Sequence, residues 1–481
     1  MKKKNVFLIV ILLLIGLTGI LFFRGTYVRV DGKWLRRDTT ELDYSGKEPP
    51  APEELQVLSE LKVLDLRNTG ICVETYEAFR TYLPDCEIKW QVPFQGGFLE
   101  PDIKELTISS IAEEDIQILG YFPDLESIDA GDCSDLDALM ELQAQYPACS
   151  VRYQVPVGEM RVSGDSVSLE IADGDAAELM NCLRYLPQLE NVVFTGTMPE
   201  NEAVYALKQA YPNVNFQWRF FLFGIETDSN ARELDLSGIS MESTEEVESY
   251  LKYFNGLEKV IMCDCGISSE EMDQLGKRWP DIRFVCNIMV GIYKVRTDVT
   301  TLMPFQLGYD GLTSEKKLRN LHCTELKYLV DLVCIDFGHM EVRDLSFVQY
   351  MPDLEYLLLC GNGIKDITPL AGLQKLKYLE LFANSVTDIS ALSQCPALED
   401  VNLCYNTITD ITPLLELENL NNIWISGWNL DEEQIALLQQ AHPDANIVLD
   451  AYRSTGRGWR DLPNYFAQRD LLGMWYMVTN D

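Results

Sequence analysis

LEYLLLCGNGIKDITPL, residues 354–370, sets Leu354, Leu357 and Leu359 at offsets 0, 3 and 5, Asn362 at offset 8, and Ile364, Ile367 and Leu370 beyond it. That spacing fits neither a free amphipathic helix nor a lone strand, whose apolar positions recur every 3.6 and every 2 residues. A shift of 22 residues overlays LKYLELFANSVTDISAL (376–392), and a second shift overlays LEDVNLCYNTITDITPL (398–414). LNNIWISGWNL (420–430) continues the series in degenerate form, and LVCIDFGHMEVRDLSFV (332–348) precedes it with Met340 in the Asn position. Five copies in phase predict a stack of units, each burying its apolar face against its neighbours.

The pattern L-x-x-L-x-L-x-x-N is that of a leucine-rich repeat. Each copy reads as a short strand, a buried Asn that satisfies backbone groups in the turn, and a short helical return. Asp366-Ile-Thr368-Pro369-Leu370 and Asp410-Ile-Thr412-Pro413-Leu414 mark the start of that return. Thr is expected to supply the capping oxygen, and Pro the first helical position, where no N–H is needed. This ending resembles the 22-residue repeats of internalin-like bacterial surface proteins, closely over 332–430 and in outline elsewhere. The resemblance implies a partner-binding concave strand face.

Upstream a longer period takes over. ELDYSG (41–46), ELTISS (105–110), SLEIAD (168–173) and ELDLSG (233–238) place Leu42, Leu106, Leu169 and Leu234 at intervals of 64, 63 and 65. Each is followed by a second strand pattern, a helix ending before Pro84, Pro147, Pro212 or Pro280, and an alternating closing strand. Ser268 with Glu271 reads as a capping box. Gly32, Gly97, Gly158, Gly224 and Gly291 lie between alternating segments and predict β-hairpins joining the units.

The sequence therefore predicts an α/β solenoid: a leucine-rich-repeat array with hairpin-decorated double repeats upstream and an N-terminal transmembrane helix. The expected organisation is a cytoplasmic stub (1–4), a transmembrane signal anchor (5–23) and a capping hairpin (24–37). Four double repeats of about 65 residues (38–297) follow, then an irregular junction (298–331) and the regular repeats (332–430). The last helix, a strand and an aromatic, Arg-rich cap fill 431–481. Val6 to Phe23 carries no charge and is just long enough to span a bilayer. Lys2, Lys3 and Lys4 favour a cytoplasmic N-terminus, leaving the bulk of the chain extracytoplasmic, with a cytosolic-facing chain as the alternative.

The formal charge is −36, and residues 38–481 alone carry 31 basic and 74 acidic side chains. Such a surface repels nucleic acid and anionic lipid. The 13 cysteines are odd in number and mostly fall on buried repeat positions, which argues against a disulfide framework. Cys263 and Cys265 are expected to diverge, one outward and one into the ladder. No HExxH, GxSxG or P-loop motif occurs, and Gly361-x-Gly363 lies inside a repeat turn. A non-enzyme without cofactor or metal is expected.

Offsets 2, 4 and 6 of each repeat point outward from the strand. Five such rows, about 4.8 Å apart, make a strip roughly 20 Å long. It gathers Tyr356, Leu358, Tyr378, Glu380, Phe382, Asp400 and Trp424, the composition of a recognition surface for a protein, peptide or glycan. The competing role is a structural scaffold or an assembly subunit of a membrane complex. In the tail, Arg457 and Arg460 flank Trp459 and could receive a carboxylate or phosphate. A cap over the open edge of the last repeat is the favoured reading of the tail.

Overall fold

A computed structural model describes residues 25–173, 176–291, 293–303, 323–426, 429–453 and 456–474. The expected membrane anchor at 5–23 lies outside them. Among the described residues, no helix is long and apolar enough to cross a membrane. The chain divides into two compact units, residues 1–216 and 217–481.

In the first unit the long period becomes a repeated pair of motifs. Three-stranded parallel sheets form from Glu41–Asp43, Val63–Asp65 and Glu87–Lys89, and from Glu105–Thr107, Ser127–Asp129 and Ser150–Arg152. A third uses Ser168–Asp173, Asn191–Thr197 and Asn215–Gln217. An antiparallel hairpin precedes each sheet in the chain, Tyr27–Val30/Lys33–Arg36, Val92–Phe94/Gly97–Leu99 and Gln154–Val157/Met160–Ser163, as the glycine spacing predicts. The second hairpin turns at Gln95 and Gly96, both with positive φ, and Gly97 instead opens the return strand. Two consecutive positive φ values match the twist of the flanking strands, and glycine adopts one of them without strain.

The second unit opens with a hairpin (Arg219–Leu222/Ile225–Asp228) and the sheet Glu233–Asp235, Lys259–Ile261, Arg283–Val285. Ser268 and Glu271 form the expected reciprocal capping box. Cys265 points inward and donates to the Leu236 carbonyl (3.1 Å), while Cys263 packs with Ile261 and Val285. None of the 13 cysteines forms a disulfide. Seven parallel strands then share one sheet: Thr301–Leu302, Cys334–Asp336, Tyr356–Leu358, Tyr378–Glu380, Asp400–Asn402, Asn422–Trp424 and Asn446–Val448. The junction expected to be irregular thus supplies the first strand, paired at Thr301↔Cys334.

The register advances by 22 residues per strand, from Cys334 through Tyr356, Tyr378 and Asp400 to Asn422. Inward leucines fill a dry core, with Leu357, Leu359, Leu379 and Leu381 all fully buried. Each Asn closes the turn of the repeat before it. Asn384 accepts from the N–H groups of Asn362 (3.1 Å) and Ile364 (3.0 Å) and donates to the carbonyls of Leu359 and Leu381 (both 2.9 Å). Asn362 and Asn406 repeat this ladder one step to either side. The returns are short 3-10 turns such as Thr368–Leu370, and their cap differs from expectation. Asp366 is the acceptor, taking both the N–H (2.9 Å) and the hydroxyl (2.7 Å) of Thr368, because an ionised carboxylate two residues upstream outcompetes the hydroxyl.

Replacing Asn384 with Ala strands the buried N–H groups of Asn362 and Ile364, each costing about 1–3 kcal/mol, whereas the Leu359 and Leu381 carbonyls keep the Nδ2 groups of Asn362 and Asn406 (both 2.9 Å). Urea denaturation is expected to show a loss of at least ~2 kcal/mol. Asp388→Ala, which removes only an exposed turn contact to Ser390, costs ~1 kcal/mol or less.

Candidate binding site on the strand face

The outward rows are placed as the register predicts, but they are not open. Tyr356, Leu358, Tyr378, Glu380, Asp400 and Trp424 are all buried. What covers them is the chain's own tail. After the last strand, the chain forms a kinked segment, Gly456–Asp461, with Arg457 and Gly458 at positive φ, and a helix, Pro463–Leu471, and both lie across this face. The tail is therefore not a cap on the sheet's last edge, which the Asn446–Val448 strand itself forms.

Trp459 is the anchor and is fully buried. Its ring centroid lies 5.0 Å from that of Tyr378 and 5.1 Å from that of Trp424, and its indole N–H donates to Glu380 Oε2 at 3.2 Å. Trp424 reciprocates by donating from Nε1 to the Gly456 carbonyl (3.1 Å). Asn464 Nδ2 bridges Glu399 Oε2 (2.8 Å) and Asp400 Oδ2 (3.1 Å). Ala451, Leu462, Tyr465 and Leu472 complete an apolar cluster with Cys334, Tyr356 and Leu358. This second core is built across the outer face of the sheet, opposite the leucine core inside the repeats.

Phe382 alone of the predicted strand-face residues stays half-buried, at the rim, its ring tilted against that of exposed Tyr405 with centroids 5.0 Å apart. The tail arginines do not form the anion clamp that the sequence suggests. Arg457 pairs with Asp450 (2.5 Å), Arg460 lies exposed 6.0 Å from the Tyr465 ring, and Trp459 between them turns inward.

Beneath the tail lies an acidic floor that the strand pattern contributes at Asp336, Glu380 and Asp400. Burial pushes the Glu380 carboxyl up to about 7, against the lowering pull of the Trp459 indole N–H. Asp336 raises it further, while the Arg460 charge and the Tyr378 hydroxyl lower it. Burial likewise raises Asp336 and Asp400. None of the three makes an ion pair among the described residues; Asp336 accepts only from the Gly338 N–H (2.9 Å), and Asp400 from Asn422 (2.6 Å) and Asn464. The Cys360 thiol, 3.6 Å from His339 Nε2, is pushed up to about 12 by burial, which leaves it protonated and unreactive. Among the described residues no group of three or more His, Cys, Asp or Glu side chains stands ready to hold a metal.

Residues 352–394 match the family model of leucine-rich repeats, two copies. This stretch is a leucine-rich repeat. No curated protein sequence matches the chain. Among solved structures, an internalin C2 of Listeria monocytogenes is 21% identical, covering 28% of this chain and 70% of its own, with a TM-score of 0.21. A second Listeria monocytogenes internalin is 15% identical over 88% of this chain and 91% of its own, at 0.23. A leucine-rich-repeat protein of Leptospira interrogans is 15% identical over 91% and 95%, at 0.22. Scores this low carry no argument about function, so the leucine-rich-repeat face itself must supply one.

The buried acid makes a pH prediction. In the unfolded chain Glu380 releases its proton near the usual carboxylate value of about 4.3, and in the fold near 7. Its contribution to stability is therefore present below about 4 and lost as pH rises through 7, a change of about 3 kcal/mol. Glu380→Gln removes this dependence. Denaturation midpoints of the two chains are expected to diverge between pH 5 and 8, with the variant increasingly the more stable; parallel curves would contradict the buried carboxylate.

Proposed function

We propose that this chain is a non-catalytic binding protein whose leucine-rich-repeat strand face takes a segment of a protein or peptide partner. The observation that carries this reading is the tail itself: the face already holds a segment of polypeptide (456–474 in the described structure) through an aromatic anchor and directional hydrogen bonds. A buried aromatic in a desolvated slot with polar contacts around it is how binding energy concentrates at interfaces. The same contacts favour a polypeptide ligand over a glycan. We further propose that residues 5–23 anchor the chain in a membrane with the repeats extracytoplasmic, supported by the uncharged run from Val6 to Phe23 and the preceding lysines.

The structure also lends support to the scaffold alternative, since a face filled by its own tail is a core as much as a site. The two readings separate at the rim. A photo-crosslinking amino acid replaces Phe382 in one chain and the distant, exposed Tyr350 in another, and intact cells are irradiated. The binding reading expects a discrete protein adduct at 382, stronger when Trp459→Ala loosens the tail, and none at 350. No adduct at 382 in either background, with the chain folded, favours the scaffold. Protease added to the cells beforehand abolishes the adduct if the repeats are outside; an adduct that survives shaving but not lysis places them in the cytosol.

A further inference from the structure

The acidic floor is at odds with a tail that serves only as a permanent lid. Carboxylates taken out of water are costly unless paired or strongly hydrogen-bonded. Yet none of the covering segment's three arginines ion-pairs with these carboxylates among the described residues: burial holds Glu380 and Asp336 up, and Arg460, joined by Arg469 at Asp336, pulls them down only as a charge at a distance. Arg457 is held by Asp450, Arg460 is exposed, and Arg469 donates to the Tyr465 hydroxyl (3.0 Å) and the Met474 carbonyl (2.8 Å). On the tail side, Gln468 is buried with its carbonyl oxygen unpartnered. The aromatic half of the contact is closely packed, whereas the charged half is met only at a distance. A face with the Tyr378–Trp424 slot beside Asp336 and Glu380 is complementary to an aromatic group with an adjacent cation, a combination these carboxylates and rings both favour.

We propose that residues 456–474 are an intramolecular stand-in for the true ligand, a segment of a partner protein that seats an aromatic side chain between Tyr378 and Trp424 and brings basic side chains to Asp336 and Glu380. This rests on the binding function proposed above and names its partner by chemistry. The partner gains over the tail in charge, and the tail gains over the partner in being tethered, so that it excludes weaker or less basic competitors. The tail and partner compete for one slot, because Trp459 already sits between Tyr378 and Trp424.

The test uses the full chain, folded first and then nicked at a protease site built in at Tyr452, which is exposed. The freed C-terminal fragment stays bound through its contacts alone, and its release is followed by size-exclusion chromatography at pH 8, where Glu380 is ionised. The probe is the synthetic peptide GRGWRDLPNYFAQR, residues 456–469, beside the same peptide with its three arginines replaced by citrulline, which keeps their shape and removes their charge. The arginine peptide is expected to displace the fragment at a concentration at least tenfold lower. That difference is expected to vanish in the Asp336→Asn, Glu380→Gln chain. If both peptides displace equally from the unmutated chain, the charge complementarity is wrong while the binding face stands. If neither displaces the fragment, and the nicked chain keeps its circular dichroism and melting temperature, the tail is a fixed part of the core, and both this inference and the binding function fall.

Discussion

Every turn of the repeat array leaves backbone N–H and C=O groups inside the protein, and an Asn from the next repeat is what satisfies them. Asn384 reaches back to four such groups at once, and Asn362 and Asn406 do the same for their neighbours. Buried backbone groups left unpaired are too costly to tolerate. The 22-residue interval is therefore a hydrogen-bonding constraint before it is a hydrophobic one. It holds the strands in unshifted register from Cys334 to Asn422, and that register brings Tyr378, Glu380, Asp400 and Trp424 from three separate repeats onto one face.

On that face the molecule builds a second core with a different chemistry from the first. The inner core is aliphatic, closed and free of charge. The outer one combines tilted and edge-on aromatic rings with carboxylates whose protons are held more tightly than usual, and it is closed by a segment that does not belong to the repeat. Trp459 joins the two halves of this arrangement, since one ring fills the slot and one N–H meets Glu380. A contact so dependent on a single anchor is well suited to exchange with a competing segment, in a way that the leucine interior is not.

Much of the scaffold was legible in the residues. The strand positions, the inward leucines, the Asn ladder, the hairpins and the Ser268–Glu271 box all follow from short-range spacing, where geometry leaves few alternatives. The capping at Asp366 and Asp410 was misread because Thr and Asp stand two residues apart and only the hydrogen-bond geometry decides between them. The candidate site was half legible. Which residues share the face follows from period 2 along each strand, but whether the face is open depends on where a non-repeating tail docks, and no periodicity encodes that. A signal was nonetheless present. Tyr356, Leu358, Tyr378 and Trp424 leave a large apolar surface to be covered, and Trp459, Leu462 and Tyr465 fall at spacings of three, a stripe able to cover it.

The account stands or falls on the tail occupying the strand face as a unit distinct from the repeats. Hydrogen exchange of the full chain, resolved by peptide mass spectrometry, measures this directly. The account predicts protected amides across the 463–471 helix that open at a lower free energy than those of the 356–358, 378–380 and 400–402 strands. Exchange of the helix at the rate of an unfolded peptide would show that the face is bare, and protection equal to that of the strands would show that tail and repeats open only together.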